Sequence, residues 1–106
     1  MDAVSRGEYH YAIELGNSVI ELTSVHHYPL EKGRALWNIG WAYSSLLRFD
    51  DALAALRQAT DIFEEEGDAF GISRVLQGVG NVYFFTGRLL DSLEEYLNAY
   101  AVLELA

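Results

Sequence analysis

The chain repeats itself. Moving it along by 40 residues places Arg34 on Arg74, Leu36 on Leu76, Gly40 on Gly80, Tyr43 on Tyr83, Arg48 on Arg88, Asp51 on Asp91, Leu53 on Leu93, Ala59 on Ala99 and Glu64 on Glu104. Unrelated segments of this length share about two identities by chance, and many of the remaining pairs keep their character, as in Ile39 with Val79 and Phe63 with Leu103. A period of this length means that one small unit is stacked on a copy of itself. Each copy then buries a face that it could not bury alone.

Each unit reads as two helices. From Glu31 to Leu46 the residues Leu36, Trp37, Ile39, Gly40 and Tyr43 recur at spacings of three and four, which puts a stripe on one helical face. Arg48-Phe49-Asp50 is expected to form a turn, with Asp50 or Asp51 capping the next helix. In that helix Ala52, Leu53, Leu56, Ala59, Ile62 and Phe63 form the inward stripe, and Gly67 stops it. The second unit predicts a helix over 71–85, a turn at Gly87-Arg88-Leu89 and a helix over 91–105 with Leu93, Tyr96, Leu97, Tyr100 and Leu103 facing inward.

The start of the chain matches only the second half of a unit. Gly7-Glu8-Tyr9 lies 40 before Leu47-Arg48-Phe49, and Ala12, Ile13, Val19 and Leu22 lie 40 before Ala52, Leu53, Ala59 and Ile62. The few residues ahead of Gly7 are too short for a four-turn helix at about 1.5 Å per residue. The expectation is an all-α chain, a superhelix of antiparallel helical hairpins with about five helices. It divides into a lone second helix (1–29) and two hairpins (30–68 and 69–106), cut from a longer protein.

Charge and composition narrow the function classes. With 16 acidic and 7 basic residues the formal charge is −9, and the basic residues are scattered, so a phosphate backbone is an unsuitable partner. There is no cysteine and hence no disulfide, thiolate metal site or thiol nucleophile. No apolar run is long enough to cross a membrane and Met1-Asp2-Ala3-Val4-Ser5 does not open a signal peptide, which fits a soluble, cytoplasmic chain with no membrane partner. His26-His27 and His10 invite a metal reading, but adjacent histidines on a helix point about 100° apart and no third or fourth ligand has a spacing that converges on them. Glu64-Glu65-Glu66 with Asp61 and Asp68 reads as a solvated face rather than an ion-binding loop. Gly78-Val79-Gly80 follows no strand and reads as helix packing. No cofactor and no catalytic constellation is expected.

With Leu36, Ile39-Gly40 and Tyr43 on one helix, repeated as Leu76, Val79-Gly80 and Tyr83, and Ala52, Leu56 and Ala59 on the next, the chain resembles a tetratricopeptide repeat array. The resemblance covers almost the whole chain. Ser92, Tyr96 and Ala99 match with a serine in first place, Ala12, Gly16 and Val19 match less well, the unit is longer than the family's standard one, and Glu64 and Glu104 stand where its closing proline would. The long unit, with Gly67-Asp68 and Gly71-Ile72 around the inter-unit turn, looks like repeats of bacterial signalling and regulatory proteins. The resemblance implies a protein-interaction module joined to an output domain. The family's lysine-and-asparagine clamp for carboxy-terminal peptides is not implied, because Trp41 replaces one asparagine and Lys32 is the only lysine.

In a solenoid of hairpins the first helices line the concave side. Residues there outside the core stripe are Arg34, Trp37, Asn38, Trp41 and Ser45 in one unit and Arg74, Gln77, Asn81, Phe84 and Phe85 in the other. They form a candidate surface for a peptide or protein segment. Asn38 and Asn81 would bond its backbone, Arg34 and Arg74 its carboxylates, and Trp41 and Phe84 would anchor an apolar side chain. The alternative is self-association, a homodimer formed through Tyr96, Tyr100 and Leu103 on the last helix.

Overall fold

The computed structural model describes residues 3–105; Met1, Asp2 and Ala106, at the outer ends of the expected units, lie outside it. Within it the chain forms five helices and no strand: α1 (Ala3–His26), α2 (Pro29–Ser45), α3 (Phe49–Glu66), α4 (Ala69–Phe85) and α5 (Leu89–Leu105). The 40-residue period is present in the geometry, since α2 and α3 begin 40 residues before α4 and α5. Helices α2 and α3 form one hairpin, α4 and α5 the next, and α1 packs on α2.

The helices are broken every 20 residues in one way. His27, Leu47, Gly67 and Gly87 have φ of 59°, 62°, 66° and 82°. The next amide donates to the carbonyl five residues back in each case, from Tyr28 to Thr23, Arg48 to Tyr43, Asp68 to Phe63 and Arg88 to Tyr83, at 2.8–2.9 Å. This left-handed termination satisfies carbonyls that a helix end leaves open. The two hairpin turns share further detail. Arg48 Nε donates to Asp51 Oδ2 at 2.9 Å and its guanidinium lies 4.8 Å over the Tyr43 ring; Arg88 does the same with Asp91 at 2.8 Å and with Tyr83 at 4.3 Å. Tyr43 and Tyr83 therefore occupy equivalent, half-buried places.

Some local expectations are corrected. Asp50 and Asp51 do not cap α3: Arg48 is the N-cap residue, no side chain caps it, and Asp51 is spent on Arg48. The side-chain cap is at Asp68, whose Oδ1 accepts from the Gly71 amide at 3.2 Å. Helix α1 runs straight through Gly7, because a lone glycine costs a helix only about 1 kcal/mol and the residues before it remain helical. On α5 the residues fully buried are Ser92 and Ala99, while Leu93, Leu97 and Tyr100 are exposed. The inward face of α5 is thus narrower than its apolar pattern, because no helix covers its far side in this structure.

Close approach at glycine holds the hairpins together. A Cβ on Gly40 of α2 would lie 2.9 Å from Leu56, and one on Gly78 of α4 would lie 3.2 Å from the same side chain. Likewise a Cβ on Gly33 of α2 would meet the Phe63 ring at 2.8 Å, and one on Gly71 of α4 would meet it at 2.4 Å. Leu56 and Phe63, seven residues apart on α3 and 2% exposed, are knobs each seated between a glycine of α2 and a glycine of α4. In the second hairpin Tyr96 lies on Gly80 in the manner of Leu56 on Gly40. There two buried hydroxyls add interhelical bonds, Ser92 Oγ to the Gly80 carbonyl at 2.8 Å and Ser73 Oγ to the Ala99 carbonyl at 3.0 Å.

The curvature follows from which helices meet. Besides the hairpin and neighbour contacts, α2 touches α4, while α1, α3 and α5 do not reach one another. The α2–α4 side is therefore the inner side of the superhelix.

Gly71→Ala should lower stability by about 1–3 kcal/mol, because the buried Phe63 ring, already in contact with Gly33, must shift to admit the methyl group. Gly7→Ala, where nothing lies within 4 Å, should raise it by about 0.5–1 kcal/mol. Denaturant titration of the two variants checks both signs, and a neutral Gly71→Ala would contradict the packing scheme. Leu47→Gly should add about 1 kcal/mol by the same measurement, since Leu47 is 72% exposed and its left-handed backbone is costly for a side chain.

Candidate functional site

The inner side of the superhelix carries a ridge and two furrows. Arg34, Asn38 and Trp41 project from α2 at spacings of four and three, one stripe of a helix, and all three are exposed. Between this ridge and α4 lie two depressions. One, of about 180 Å³, is lined by Trp37, Trp41, Ser44, Arg74, Gln77 and Asn81; the other, of about 310 Å³, by Arg34, Trp37, Asn38, Asp68, Phe70 and Arg74. Gly40 and Gly78 form part of the floor of the first, so the glycine seam that lets the helices approach also sets the depth of the furrow.

Trp37 and Arg74 separate the two depressions. The Trp37 indole Nε1 donates to the Arg74 carbonyl at 3.2 Å, and the Arg74 guanidinium stacks 4.2 Å above the indole. Trp37 is half-buried and binds α2 to α4, so its role is structural as well as lining. The stacking holds the guanidinium plane in place while its edge stays free. Among the described residues Arg74 has no ion-pair partner, whereas Arg34 pairs with Glu31 at 3.6 Å across an exposed turn. An exposed pair of this kind is worth little and leaves Arg34 available.

On the other side of the ridge lies a third and wider depression, a cleft of about 630 Å³ between α1 and α2. Its α1 wall is Tyr9, Ala12, Leu15, Gly16 and Val19, facing Arg34, Asn38 and Trp41. No residue of α1 was among the expected site residues. The signal was available in the repeat, because these five residues lie 40 before Phe49, Ala52, Ala55, Leu56 and Ala59, the face of α3 that α2 covers. The cleft therefore has the shape and register of a seat for a segment laid against α1 and α2.

The remaining expected contacts fall elsewhere or are already engaged. Ser45 is not in the furrow: its hydroxyl donates to the Trp41 carbonyl at 3.0 Å, and it borders a separate hollow beside Arg6, His10 and Leu47. Phe84 and Phe85 line none of the three depressions. They stack edge to face at 5.7 Å on the exposed end of α4, because the helix carries them past the stretch facing α2. The Gln77 amide nitrogen lies 3.4 Å from Ser73 Oγ, and the Asn81 side-chain oxygen accepts the Tyr96 hydroxyl. That bond engages the Tyr96 hydroxyl and the oxygen of Asn81, whose side chain lines the furrow. Tyr100 is 65% exposed and Leu103 39%. His26 and His27 are both exposed at the α1–α2 turn, with His27 at the left-handed position.

The site thus joins guanidinium and amide donors to apolar walls in an otherwise acidic protein. No helix among the described residues is long and apolar enough to cross a membrane. No protein-family model matches the chain, and comparison with curated proteins finds no similar sequence.

Proposed function

We propose that this chain is an interaction module of tetratricopeptide type, which holds a peptide or protein segment on its concave face within a cytoplasmic regulatory or signalling protein of bacterial kind. The observation that carries this reading is the exposed α2 ridge of Arg34, Asn38 and Trp41, with a furrow on each side and Arg74 stacked on Trp37 across one of them. Trp41, 53% exposed at the meeting of two depressions, is the anchor for an apolar side chain. Arg74 supplies a fork to a carboxylate, and Asn38 and Asn81 supply amides to backbone groups. A charge of −9 favours a protein segment over nucleic acid as the occupant.

Trp37 and Trp41 are the only tryptophans of the chain, so intrinsic fluorescence reports on this surface directly. Panning a random dodecapeptide display library on the chain should enrich a consensus containing an acidic and a large apolar residue. The enriched peptide should shift tryptophan emission, and Trp41→Ala or Arg74→Ala should weaken its binding roughly tenfold or more, while Arg57→Ala on the outer face leaves it unchanged. No enrichment, or binding indifferent to Trp41 and Arg74, would refute the assignment.

A further inference from the structure

The two copies of the hairpin differ systematically on one surface. On α3, Asp50, Arg57, Asp61 and Glu65 remain exposed although α4 is packed beside them. The residues 40 further on are Leu90, Leu97, Ala101 and Leu105, all exposed on α5, with Leu90 at 84%, Leu97 at 60% and Leu105 at 89%. Another hairpin packed on α5 as α4 packs on α3 would leave these positions in water. Their apolar character is therefore not explained by the stacking of repeats.

Leu90 and Leu97 join Leu93 and Tyr100, also exposed, in a stripe with spacings of three, four and three. That is the seam by which one helix packs along another. On α3 the same four positions hold Asp50, Leu53, Arg57 and Thr60, which break such a seam. The stripe lies on a helix of 17 residues, about 25 Å long, enough for two heptads.

The charges around the stripe state what can lie there. Glu94 borders it and Glu104 follows on its line, both exposed, while Asp91, engaged with Arg88, and Glu95 lie round the helix toward its buried side; α5 has no lysine or arginine. A second copy, itself of charge −9, would bring the same glutamates and no base to the seam, and an anionic membrane would meet the same repulsion.

We propose that the outward face of α5 docks an amphipathic partner helix whose apolar stripe is flanked by lysine or arginine, a surface separate from the concave one. Exposed apolar area supplies the attraction, and Glu94 and Glu104 in a chain of charge −9 select the basic partner. The probe is a fluorescein-labelled 18-residue helical peptide with leucines at heptad spacing and lysines beside them, with a control bearing glutamates in place of the lysines. Anisotropy titration should show binding of the lysine peptide that weakens with salt, and none of the glutamate peptide. The variant Leu90→Asp/Leu97→Arg/Leu105→Glu places the α3 residues on α5; it should fold with an unchanged circular dichroism spectrum and bind the lysine peptide roughly tenfold more weakly or worse. Trp41→Ala should bind it as the unaltered chain does, which separates this surface from the concave site. The inference is overturned if both peptides bind alike, if neither binds, if the triple variant binds undiminished, or if sedimentation finds a dimer of the unaltered chain that the triple variant abolishes.

Discussion

Two side chains of α3 set the spacing of the whole array. Leu56 and Phe63 each fill a slot with a glycine of α2 on one side and a glycine of α4 on the other, and both are almost completely buried. Because the slots lack Cβ atoms, α3 comes near enough to both first helices for α2 and α4 to touch each other on the inner side. Interior packing has little slack, so a methyl group at any of these glycines must displace a neighbour. The concave furrow is a product of this seam. Its floor includes Gly40, Gly78 and Leu56, and its dividing wall, Trp37 with Arg74, exists only because α2 and α4 meet.

The second hairpin keeps the plan and changes the chemistry. Tyr96 replaces the knob Leu56, and its ring lies on Gly80 while its hydroxyl reaches Asn81. A packing residue on the outer helix therefore fixes a polar residue on the inner one. The serines at 73 and 92 replace a glycine and an alanine of the first hairpin and bond to backbone carbonyls across the helix pair. Buried hydroxyls with partners of this kind cost little and restrain the register of the two helices. The first hairpin is held mainly by shape, the second by shape and hydrogen bonds.

The turns show how far a local code extends. Four helix ends recur at 20-residue intervals with the same left-handed residue and the same carbonyl bond, yet only Gly67 and Gly87 announce it in sequence. At His27 and Leu47 the tertiary packing of the flanking helices imposes a conformation those side chains disfavour. For this reason the turn chemistry was visible at two helix ends and hidden at the other two. The aspartates after Arg48 likewise look like caps when read alone, but a nearby guanidinium competes for Asp51.

What the sequence by itself determined is the hairpin, its period, the number of helices and the core stripe of α3, because these follow from residue spacing along one chain. The ridge of Arg34, Asn38 and Trp41 was legible for the same reason, as a stripe left over once the core face of α2 was assigned. Only the tertiary structure decided that Trp37 is a seam residue, that Ser45, Phe84 and Phe85 lie outside the furrow, that Tyr96 serves Asn81, and that α1 supplies a wall of the cleft beside α2. Helical periodicity gives the direction of a side chain about its own axis. Where the neighbouring helix stops, and what it leaves uncovered, depends on crossing geometry set by contacts far apart in the chain.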